Sequence, residues 1–206
     1  MSSLYKTANI TVVADGLYTS FLAADFFQDC IGEKPKSVIQ ISDFAVFEYE
    51  RYKIVVQVDA RRLIAVDNGL QGSTTSAAPA AIKKFLERGR EEIKVQAVGL
   101  NYAYELQSKR AIADVLLDEY FNRSSAQRIG EEIEFAGLKL AARKDGYVFQ
   151  VGIEPVWQKP FESVVSFNYH FDSKSSVDWP DIVDRFNEFA FVVPDFLSEM
   201  IDAAAR

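Results

Sequence analysis

The sequence predicts an α+β fold: a curved, mostly antiparallel sheet backed on one face by helices, with a long C-terminal helix. Three observations predict it. Apolar and polar residues alternate with a period of two in several segments, apolar residues recur at helical spacing between those segments, and strand follows strand without the strict strand–helix alternation of a parallel sheet. The chain has 206 residues, 49% apolar and 26% charged, enough to bury a sizeable core as a single domain over 1–206.

Strand signals are the most regular. Tyr52, Ile54, Val56 and Val58 alternate with Lys53, Gln57 and Asp59, as a sheet with one wet face requires. The rhythm returns in Tyr147, Phe149, Val151 and Ile153 against Gln150, Gly152 and Glu154. It returns again in Val165, Phe167, Tyr169 and Phe171 against Ser166, Asn168, His170 and Asp172. Between Ile93 and Tyr104 the apolar positions are odd before Gly99 and even after it, which predicts a bulge at Gly99. Gly137 stands at a similar phase change between Ile133/Phe135 and Leu138/Leu140. Ser37 to Glu50 reads as one strand ending in a tight turn at Glu50-Arg51, and Asn9 to Ala14 as another, on Ile10, Thr11, Val12 and Val13.

Helices fill the gaps. Leu17 to Ile31 places Phe21, Leu22, Phe26 and Cys30 at helical spacing and stops at Gly32, with Pro35 beyond. Pro79 opens a helix carrying Ile82, Phe85 and Leu86, and Ser108 is read as the N-cap of one carrying Ile112, Val115, Leu116 and Tyr120. Asp178 caps the last helix, which carries Ile182, Val183, Phe186 and Phe189 and is kinked or split by Pro194. The order helix, strand, strand, strand describes Leu17 to Gln107, with the Pro79 helix as an insertion, and again Ser108 to Asp172. That order predicts two similar halves, 1–107 and 108–206, completing one sheet. Leu70 to Ala78, small, polar and uncharged, reads as a mobile loop within the domain.

Composition narrows the chemistry. One cysteine, Cys30, forms no internal bridge, and one histidine, His170, supplies no two-histidine ligand set, so neither a metal nor a cofactor is expected. A net charge of −7 argues against nucleic acid, since Arg61-Arg62, Lys83-Lys84 and Lys109-Arg110 all lie near acids. No stretch resembles a secretory signal or a membrane span, so a cytoplasmic protein is expected. The loop before Pro79 lacks the lysine and glycine spacing of a phosphate loop, and Asp25/Asp29 and Asp114/Asp118 read as solvated helix faces.

The polar side of the sheet is the main candidate for function. In one sheet, Gln57, Asp59, Asn101, Gln150, Asn168 and His170 line a surface opposite the helices, rich in amides with a single imidazole. Trp157, after Pro155 near a strand end, is a candidate anchor for a partner. No pair of carboxylates is forced together in an apolar setting, and no catalytic residue is assigned.

Ile93-Lys94-Val95-Gln96-Ala97-Val98-Gly99-Leu100-Asn101-Tyr102, preceded by a helix and followed by further strands and a terminal helix, resembles a sporadically distributed family of uncharacterised prokaryotic proteins. In that family a Gly-Leu-Arg-Tyr-Asn-like strand follows a short helix; here Asn101 stands in place of the basic residue. The resemblance covers the middle half of the chain. It implies a prokaryotic cytosolic protein and brings no activity or site residues.

Three readings follow. The first is a non-enzymatic interaction or assembly protein that uses the polar sheet face or a sheet edge for a protein partner, itself included. The second is a small-molecule binder with an apolar cavity between sheet and C-terminal helix, lined by Phe186, Phe189, Trp157 and Tyr169. The third is a hydrolase or lyase built on His170 with Asp172 or Asp59.

Overall fold

A computed structural model describes residues 3–17, 31–69, 75–88, 92–119, 136–144, 146–172 and 178–190. Among them are nine strands: β1 (Ser3–Asp15), β2 (Ser37–Ile41), β3 (Phe44–Tyr49), β4 (Ile54–Asp59), β5 (Arg62–Asp67), β6 (Lys94–Gln107), β7 (Leu138–Lys144), β8 (Tyr147–Val156) and β9 (Lys159–Asp172). They form one sheet in the order β2-β3-β4-β5-β1-β6-β9-β8-β7, and every neighbouring pair is antiparallel. The long pair β1–β6 lies inside. The meander β2–β5 extends the sheet on one side and β7–β9 on the other. Helices α1 (Ala78–Arg88), α2 (Ile112–Glu119) and α3 (179–190) complete the described elements.

One face of the sheet is the core. Ile10 and Val12 of β1, Phe47 and Tyr49 of β3, Ile54 and Val56 of β4, Leu100 and Tyr102 of β6, and Phe167 and Phe171 of β9 are buried at alternate positions. At about 1.5–3 kcal/mol for each fully buried large side chain, this face drives the folding. Helix α3 lies on it through Ile182, Val183, Phe186 and Ala190. The Tyr102 hydroxyl donates to Phe186 O at 2.6 Å and that of Tyr104 to Ala190 O at 3.3 Å. Helix α1 buries Ile82, Phe85 and Leu86 and is tied to α3 by Lys83 Nζ to Asp184 at 2.7 Å. Asn187 Oδ1 of α3 also accepts from Ser76 N, and Ser76 Oγ accepts from Ala78 N at the start of α1.

Several expectations need correction. Ser37 to Glu50 is two strands, not one, with a turn at Ser42-Asp43. The strand over Arg62–Asp67 had not been anticipated. The phase change in β6 is real, but Gly99 pairs in continuous register with Thr11 and His170. The irregularity falls at Gln96, which is skipped as Val13 faces Ala97 and Ala14 faces Val95. Ser108 does not cap α2: the first helical carbonyl is that of Ala111, which accepts from Val115 N, while Ser108 N donates to Phe161 O. The helix read over Leu17–Ile31, Cys30 with it, the loop core at 70–74, Ile133, Phe135 and Pro194 lie outside the described residues apart from Leu17 and Ile31 themselves.

Candidate functional site

The strand register arranges the opposite face in rows. One row crosses all nine strands as Ser37, Glu48, Val55, Val66, Asn9, Asn101, Asn168, Gln150 and Ala141. The next crosses them as Ile39, Val46, Gln57, Ile64, Thr11, Gly99, His170, Val148 and Arg143. This face is therefore divided in two. From β2 to β5 it is largely aliphatic, and from β1 to β7 it is more polar, with amides and hydroxyls beside His170 and Arg143.

Sequence reasoning expected a polar surface throughout, and the aliphatic half is what it missed. The signal was present in Ile54-Val55-Val56 and Leu63-Ile64-Ala65-Val66, continuous apolar runs that place apolar residues on both faces. Val46, Val55, Ile64 and Val66 are half-buried. Ile39 and Ile41 on the edge strand are 58% and 63% exposed.

In the polar half, side-chain amides on adjacent strands are joined. Asn9 Oδ1 accepts from Thr11 Oγ1 at 3.0 Å and from Asn101 Nδ2 at 2.8 Å, and Asn101 Oδ1 accepts from Asn168 Nδ2. Gln150 faces Asn168 from β8 in the same row. The row below reads Thr7, Ala103, Ser166, Gly152 and Lys139 across β1, β6, β9, β8 and β7. Between these two rows is an open hollow of about 390 Å³. Gly152 makes its floor: a Cβ there would stand 2.8 Å from Ser166 Oγ. The lining contains one charged side chain, Lys139. The side chains of Lys139, Gln150 and Ser166 make no hydrogen bond or ion pair among the described residues.

The sequence-derived candidates thus separate. Asn101, Asn168 and Gln150 come together in the hollow, with Asn9, Thr7, Ser166 and Lys139 as unanticipated neighbours. His170 is exposed on the same face one row away, and its imidazole makes no hydrogen bond or ion pair among the described residues. Gln57 lies on the aliphatic half. Asp59 is four strands from His170, about 19 Å at the usual strand spacing, so the register does not bring those two together. Its oxygens are occupied by the β4–β5 turn: Oδ1 accepts from Arg61 N at 2.9 Å and Arg62 N at 2.8 Å, and Oδ2 from Arg62 Nε at 2.9 Å. Burial pushes its carboxyl up, but those hydrogen bonds and the Arg62 charge together hold it below the usual carboxylate range. Trp157 is 68% exposed in the β8–β9 turn, away from the hollow.

On the core face, Tyr169 stacks on Phe189 at 4.3 Å and Tyr102 on Phe186 at 5.2 Å, so these rings fill the space between sheet and α3. No group of three or more metal-binding side chains occurs among the described residues, and no helix there is long and apolar enough to cross a membrane. Neither the protein-family models nor the curated proteins compared with this chain match it.

Proposed function

We propose that this chain is a non-enzymatic interaction protein of the cytoplasm that assembles with a second copy of itself along the β2 edge of the sheet. The observation that carries this reading is the contrast between the two edges. Strand β7 is guarded by Lys139, Arg143 and Lys144, the usual protection against edge-to-edge pairing. Strand β2 has no charge, no proline and no bulge, and all five of its residues are exposed.

Self-pairing of β2 suits its sequence. An antiparallel pair centred on Gln40 sets Ile39 opposite Ile41 of the second copy, twice, on the side where Phe44 and Val46 already form an apolar flank. The residues that pair within the strand carry no charge, and the β2–β3 turn with its Asp43 follows Ile41, so no like charges are opposed. Two β7 strands brought together concentrate six cations instead.

Sedimentation velocity between 5 and 200 μM, on the order expected for a small interface, tests the reading. Dimer formation is expected to rise with concentration, to be lost in Ile39→Lys, and to persist in Leu140→Lys on the other edge. A monomer throughout, or a dimer indifferent to Ile39→Lys, overturns it. The hollow in the polar half favours a second reading, small-molecule binding.

A further inference from the structure

We propose that the hollow between the amide row and Lys139 is a binding site for a small polyhydroxylated carboxylate, of the sugar-acid class. The inference stands independently of pairing at β2, because the hollow lies on the other half of the sheet.

The lining selects by what it contains. Asn101, Asn168, Gln150 and Ser166 supply hydrogen-bond donors and acceptors at roughly 5 Å lateral spacing, the repeat of the sheet, which matches a ligand carrying several hydroxyls along a short chain. The amide chain is directional. Asn168 donates toward Asn101 and Asn101 toward Asn9, so the Asn168 carbonyl is not used within the row and can accept from a ligand hydroxyl. Lys139 closes the far side as a single cation with no acid among the lining residues.

The lining also selects by what it lacks. Without a carboxylate it offers nothing to an ammonium group, which disfavours free amino acids. The rings of Tyr102 and Phe167 are turned into the core, so no aromatic platform receives a nucleobase. A phosphate dianion is poorly served by one lysine above a sheet whose backbone N–H groups pair with neighbouring strands, with no helix N-terminus in the lining. A monoanion bearing hydroxyls meets each of these conditions, and a volume of about 390 Å³ accommodates a molecule of that size.

The test is a titration of the ¹⁵N-labelled full chain with D-gluconate and D-glucuronate, following the backbone amides of Gly152, Ser166 and Asn168. Saturable shifts at these three residues are expected, with glucose and inorganic phosphate at least tenfold weaker. In Lys139→Met, an exposed position whose spectrum reports on folding directly, at least a tenfold loss of affinity for both acids is expected. Gly152→Ala, which fills the floor, is expected to weaken both by a similar factor. Absence of saturable shifts with either acid, binding of glucose or phosphate as tight as that of the acids, or unchanged affinity in folded Lys139→Met overturns the proposal.

Discussion

Tyr169 of β9 lies flat on Phe189 of α3, ring centroids 4.3 Å apart and planes 4° from parallel. Tyr147 meets both rings, at 5.8 Å and 6.2 Å, so three elements share one aromatic contact. Phe189 is half-buried, and Phe189→Ala is expected to cost about 2–3 kcal/mol, below the range for a fully enclosed phenylalanine. Urea unfolding measures it. A loss under 1 kcal/mol means that α3 is held by Ile182, Val183 and Phe186 without this stack.

Alkaline pH acts on the same region. Burial pushes the Tyr104 and Tyr169 hydroxyls up to about 12, each further raised by a neighbouring tyrosine, against an ordinary value of 10.0. Between these values the folded chain holds protons that the unfolded chain releases, so stability falls as pH rises from about 10 toward 12. Chemical unfolding at pH 9, 10 and 11 is expected to show a progressive loss, less steep in Tyr104→Phe. Equal slopes in wild type and variant exclude Tyr104 as a contributor.

How legible the site was depends on which face a residue occupies. On β9, large aromatic residues alternate strictly with Ser166, Asn168 and His170, and the expected face is the observed one. On β4 and β5 both faces are apolar, and a reading that followed only the even positions of β4 passed over Val55. The amide row was half legible. Asn101, Asn168 and Gln150 were assigned to one face, but their junction with Asn9 depends on strand order, and Asn9 and Asn101 stand 92 positions apart in the sequence. Lys139 was missed because Leu138–Lys144 mixes basic and small residues without a firm alternation.

Asp59 shows a candidate binding residue that the fold itself uses. Its carboxylate accepts two backbone N–H groups and the Arg62 guanidinium, and Asp59→Ala is expected to cost about 1–2 kcal/mol by leaving the turn amides without that acceptor. Asp59→Asn keeps an acceptor for the backbone and is expected to lose less. Because the carboxyl is held low in the folded chain, its contribution is complete at neutral pH and fades as pH falls through the folded value. The wild-type advantage over Asp59→Asn therefore shrinks in acid. An advantage that grows in acid contradicts this account.

Asn101 is the hinge of the amide row because it gives a proton on one side and accepts one on the other, to Asn9 Oδ1 and from Asn168 Nδ2. Asn101→Asp is close in shape but, when ionised, sets two acceptors face to face at Asn9 while still receiving Asn168. The protonated form restores the pattern, with its O–H toward Asn9 and its carbonyl toward Asn168. The folded chain thus favours the proton, the carboxyl is raised above its unfolded value near 4, and stability falls as pH rises through the titration. Relative to wild type, the variant is expected to lose about 1–2 kcal/mol at pH 7 and distinctly less at pH 4. A deficit that does not change with pH means that the amide row turns to water when Asn101 is altered, and that its hydrogen bonds are not coupled across the strands.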